Sequence, residues 1–183
     1  MSGEASAVAC AFCWALSGLI ARGLTRSVPS LTLNCMISAV GTGLFVTVVL
    51  ATGRQTAYLQ MKPGDLLFLG TNLAVGLVLG DTAYYSSMRL IGLSRALTVS
   101  STYPLLTAVI AGLVLAERFT ASTWAGFVLC IGGVILVGRS GLAQKNRATP
   151  VRAGRGLALA MVSAVCWAVG TVALRIGSLG LDT

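Results

Sequence analysis

Residues 66–88 read LLFLGTNLAVGLVLGDTAYYSSM, a run in which Asp81 is the sole charged residue. A bilayer core of about 30 Å takes about 20 mostly apolar residues at 1.5 Å each, so a run of this length predicts a helix that crosses a membrane. The run is continuously apolar and does not alternate every second residue, which excludes the strands of an outer-membrane barrel. Five more charge-free runs flank it, at 5–21, 31–51, 96–116, 119–138 and 156–174. Turn-forming residues punctuate the gaps: Pro29, Gly53, Pro63-Gly64, Gly92 and Pro150. The expected fold is therefore all-α, a polytopic bundle of about six transmembrane helices. The first run lacks a basic leader and is followed by further spans, so it is read as a retained helix and not as a signal peptide.

Composition agrees. Of 183 residues, 56% are hydrophobic and 10% are charged, where a soluble domain carries roughly 25% charged residues; mean hydropathy is +0.88. The net charge of +8 would suit nucleic acid only if the basic side chains formed one face, and here they sit between apolar runs as membrane-flanking anchors. No nucleic-acid partner is expected; the lipid bilayer is.

The missing residue types narrow the function. There is no histidine, and Glu4, Asp65, Asp81, Glu117 and Asp182 lie in five separate regions. No histidine-based nucleophile pair, local carboxylate pair or acidic metal motif is available. No catalytic residue, metal or cofactor is expected, and the chain is not read as an enzyme. The five cysteines (Cys10, Cys13, Cys35, Cys130, Cys166) all fall in apolar runs, where a thiol behaves as a small hydrophobe. Cys10 and Cys13 spell C-x-x-C without the basic neighbour that redox chemistry requires.

Small residues recur at helical spacing: Ala5, Ala9, Cys13 and Ser17; Gly76 and Gly80; Ala108, Gly112 and Ala116; Ala160, Ala164 and Ala168. Such stripes let helix backbones approach closely in lipid. They predict a tightly packed bundle, with dimerisation through Gly76 and Gly80 as the alternative use of that pair.

One motif returns. Cys13-Trp14-Ala15-Leu16 leads to Arg22, and Cys166-Trp167-Ala168-Val169 leads to Arg175 with the same spacing from tryptophan to arginine. Five spans separate the starts of the two copies, so the second enters the membrane upside down. Inverted repeats of this kind mark secondary transporters, with the substrate site near the midplane between halves. Residues 1–138 form the first five-helix unit on this reading, 139–155 a basic linker loop, and 156–183 the first helix of a second, truncated unit.

The residues then resemble the EamA-type members of the drug/metabolite transporter superfamily. The resemblance rests on Tyr103-Pro104-Leu105-Leu106-Thr107 through Leu115-Ala116-Glu117-Arg118-Phe119-Thr120, similar to that family's proline-containing fourth helix ending in a glutamate. Trp124-Ala125-Gly126, Gly132-Gly133-Val134, Cys13-Trp14-Ala15 and the stretch from Tyr85 to Ala96 fit its other helices in order. The resemblance implies ten helices in two inverted five-helix units, moving small metabolites or drugs across the cytoplasmic membrane by alternating access. Two departures stand out. Asn34, Cys35 and Met36 occupy the place of an arginine that the family often carries early in helix 2, and the chain is about two thirds the length of a full relative, as a fragment would be. A pathway would then be closed by a dimer or by a missing second half.

Asp81 would lie roughly 10 Å from the helix end at Met88. A carboxylate there costs about 2.5 kcal/mol or more against lipid, so it should face the bundle. It is a candidate for binding a substrate cation or a proton; alternatively Asp81, Tyr84 and Tyr85 form an interfacial belt near Arg89. Ser100, Tyr103 and Thr107 around Pro104 either line a cavity or repair the backbone that proline interrupts. Trp14 and Trp167 sit at mid-span and are candidates for the same cavity from symmetry-related places. Glu117 and Arg118 are read as a structural helix-end motif. Lys and Arg number nine on one side of the spans and four on the other, which puts the N-terminus outside; the resemblance implies an N-terminus inside. A permease for a small solute, proton-driven or facilitative, is the leading expectation. A non-transporting membrane subunit that packs against a partner is the alternative.

Overall fold

The computed structural model describes residues 3–53, 55, 61–114, 120–141 and 150–178. All regular structure among them is helical, in six segments: α1 (Gly3–Leu24), α2 (Ser30–Ala51), α3 (Pro63–Ile91), α4 (Leu93–Val114), α5 (Ala121–Gly141) and α6 (Pro150–Ser178). Four of these are long and apolar enough to cross a bilayer, over Ser30–Ala51, Pro63–Ile91, Leu93–Val114 and Arg152–Ser178; α1 and α5 contribute the shorter apolar stretches Val8–Leu24 and Ala121–Gly133. The chain is an integral membrane protein built as a polytopic helix bundle. Its outer surface fits that environment: Phe12, Leu44, Leu113 and Leu129 are exposed, and lipid hydrocarbon, unlike water, imposes no cost on them.

The stretch 139–155, read from its charges as a loop, is helical at both described ends. α5 runs on to Gly141, and α6 begins at Pro150. Arg152 and Arg155 interrupt the apolar run but not the helix, since arginine is a good helix former and proline is well suited to a first turn.

α6 occupies the centre. It packs along the whole of α3 and against both halves of α4, while α2 lies on the C-terminal part of α3, α1 touches the end of α3 and the start of α4, and α5 leans on the start of α4. The pairing of α3 with α6 is antiparallel: Ser87 donates to the Gly156 carbonyl, Gly80 meets Trp167, Gly76 meets Gly170, and Leu69 meets Gly177. α4 runs parallel to α6, with Ser100 at the level of Ala160 and Tyr103 at the level of Trp167. Arg22 at the end of α1 and Arg152 at the start of α6 line one cavity, so the helices carrying the two Cys-Trp-Ala copies run in opposite directions.

The stripe Ala160, Ala164, Ala168 is fully buried, which lets α6 sit close to two neighbours at once. Gly76 and Gly80 also face α6 within the same chain. By contrast Ala5, Ala9, Cys13 and Ser17 are exposed.

Candidate functional site

α3 changes its winding midway along its length. Residues Pro63–Thr71 and Thr82–Ile91 are α-helical, and Asn72–Asp81 between them is π-helical. The wider turn loosens the backbone ladder, and Asn34 of α2 fills the gap. Its side-chain amide donates to the carbonyls of Leu77 at 2.9 Å and Val78 at 3.2 Å, and to Thr82 Oγ1 at 3.0 Å. Asn34 is buried, and Ser38 Oγ donates to its Oδ1.

The π segment ends at Asp81, which the helix carries inward. Asp81 is 9% exposed and accepts a 2.7 Å hydrogen bond at Oδ1 from the Trp167 indole N–H of α6. No cationic side chain pairs with it among the described residues. Trp167 is the hub of the site. Its ring lies 5.6 Å from Trp14, edge to face, 5.2 Å from Tyr84, tilted, and 5.6 Å from Tyr103, edge to face; Tyr85 adjoins Tyr84 at 5.6 Å. Edge-to-face pairs at these separations are favourable ring geometries. Gly80 makes the arrangement sterically open, since a Cβ there would stand 2.7 Å from Trp167 Cδ1. Trp14 remains half exposed, so the ring cluster is open on the α1 side. The Tyr84 hydroxyl and Ser163 Oγ are buried and lack hydrogen-bond partners among the described residues.

Of the residues singled out by sequence, Asp81, Trp14, Tyr84, Tyr85, Tyr103 and Trp167 converge here. Ser100 does not: it is fully buried and donates to the Ala160 carbonyl at 3.3 Å. Thr107 turns back to the Tyr103 carbonyl at 2.9 Å, and Thr102 to that of Val99 at 2.8 Å. These bonds flank the break at Ser101 and Thr102, where α4 pauses before Pro104 restarts it. Asp81 lies on an unbroken helix rather than at a span end. Glu117 and Arg118 lie outside the described residues. In sequence Asn34 stands out as a departure from the family's arginine, and its further signal is that it is the one side-chain amide in its apolar run.

A buried carboxylate bonded from one apolar helix to another, with the tryptophans of the two Cys-Trp-Ala copies in ring contact beside it, places a polar cluster inside the helix bundle of a membrane protein. The family description that matches the chain, over residues 1–139, is the EamA-like transporter family, and the chain belongs to it. It is also similar to an uncharacterized transporter of Archaeoglobus fulgidus, at 24% identity over 164 residues that make up 90% of this chain and 55% of that protein. The chain thus spans about half the length of that relative. No solved structure matches it.

Proposed function

We propose that this chain is the greater part of a permease that moves a small metabolite or drug across the cytoplasmic membrane by alternating access, with Asp81 as the site that couples solute to protons. The observation that carries this reading is the bond between Asp81 and Trp167. A carboxylate at this depth is expensive wherever it faces lipid, and such residues mark substrate or proton pathways. Here the partner comes from α6, which on this proposal is the first helix of a second unit, and interfaces between inverted units are where transporters of this architecture bind solute. The free oxygen of Asp81, the unspent Tyr84 hydroxyl and the ring faces of Trp14, Tyr103 and Trp167 together suit a solute with a cationic or hydrogen-bond-donating group on a partly apolar body.

The test is flux in proteoliposomes under an imposed pH gradient, with cationic and anionic solutes compared. Gradient-driven uptake of cationic solutes that is lost in Asp81→Asn supports the reading. Flux unchanged in Asp81→Asn removes Asp81 from the mechanism. No flux together with a stable stoichiometric partner on purification supports the alternative, a non-transporting membrane subunit.

A further inference from the structure

The end of the bundle where α1 and α3 finish and α6 starts holds a cavity of about 520 Å³. Arg22, Arg26, Arg89 and Arg152 line it, and among the described residues no carboxylate does. Like charges that line one cavity repel one another unless a counter-ion joins them. Helix-end electrostatics explain part of the set, because Arg22 and Arg89 lie in the last turns of their helices, where a cation is favoured. They do not explain Arg152. It lies in the first turn of α6, at the positive end of the helix dipole, where a cation is disfavoured and an anion is attracted. Met88 and Ile91, both buried, contribute apolar lining. The cavity lies at the ends of the spans, the depth of lipid headgroups.

We propose that this cavity binds a phosphate group, that of an anionic phospholipid, with the four arginines on the phosphate and Met88 and Ile91 beneath the start of the acyl chains. Arginine suits this task because its planar donors match phosphate oxygens in pairs. Basic pockets between helices at the membrane surface hold such headgroups by the same chemistry. The site is separate from Asp81 and does not depend on what the chain transports.

The experiment is native mass spectrometry of the purified chain in detergent with phosphatidylglycerol or phosphatidylcholine added, alongside titration with inorganic phosphate. Phosphatidylglycerol should be retained over phosphatidylcholine, and Arg89→Gln and Arg152→Gln should each weaken retention about fivefold. Lys62→Gln, which removes the same charge at the opposite end, should leave it unchanged. Arg152→Lys keeps the charge and should retain most of the binding if the glutamine variant does not fold. Equal retention of the two lipids, or equal losses in Arg89→Gln and Lys62→Gln, would overturn the proposal. Binding of inorganic phosphate without retention of phosphatidylglycerol would overturn the lipid assignment in favour of a soluble anion.

Discussion

The Trp167 indole N–H meets Asp81 Oδ1 at 2.7 Å, joining residues 86 positions apart in the chain. The bond crosses from α3 to α6, so it also reports whether the two helices are in register. Trp167→Phe keeps an aromatic ring and deletes the donor, leaving the carboxylate buried without its partner. A loss of about 1–3 kcal/mol in unfolding free energy is expected. Asp81→Asn in the same background should recover much of that loss, and a double-mutant cycle with no coupling between the two positions would refute a direct bond.

Gly80→Ala tests the packing that places the indole. The added methyl would stand within 3.2 Å of Trp167 Cδ1, Trp167 Nε1 and Cys166 Cβ. Overpacking of this kind costs about 1–3 kcal/mol, and Trp167 must move away from Asp81 to relieve it. A lowered melting temperature with a shifted indole emission is the expected pair of readouts; Gly64→Ala, in open space, should change neither.

Asn34→Leu removes the amide that serves the π segment. Interhelical bonds of this type in membranes average about 0.6 kcal/mol with a maximum of about 1.7, and two backbone carbonyls lose a donor here, so the upper part of that range is expected. Faster amide hydrogen exchange should follow at position 82, whose N–H bonds to the Val78 carbonyl. Protection there equal to the parent protein would show that the segment holds its winding unaided.

The hydroxyls of Ser87 and Ser100 reach across to α6, whereas that of Thr98 bonds to Ser94 in its own helix. Ser87→Ala and Ser100→Ala should each cost about 0.6 kcal/mol, and Thr98→Ala close to nothing, in denaturant titrations of the detergent-solubilised protein. Equal effects at all three positions would mean that the cross-helix bonds add no stability of their own.

The helices were legible because a membrane span is a local property: about 20 residues without charge announce it whatever the rest of the chain does. The depth of Asp81 and the pairing of the two tryptophans as candidates could be read for the same reason, from position within a run and from a short repeat. Interhelical register could not. Ser100, Tyr103 and Thr107 share a face only if α4 is one continuous helix, and the pause at Ser101 and Thr102 breaks that spacing. The π segment was hidden as well, since its winding depends on an amide delivered by α2. The end of the linker at Pro150 was missed because charge density marks where lipid stops, which is not where a helix stops.

The central place of α6 has a consequence for biosynthesis. Ile91 closes α3, and Pro150 opens α6 only after α4 and α5 have been made. At the usual 5–20 residues per second of translation, that interval lasts about 3–12 s. Throughout it Gly80, Asp81 and Ser87 have been made with no α6 to meet, and the middle of the bundle stays unfilled until the sixth helix arrives.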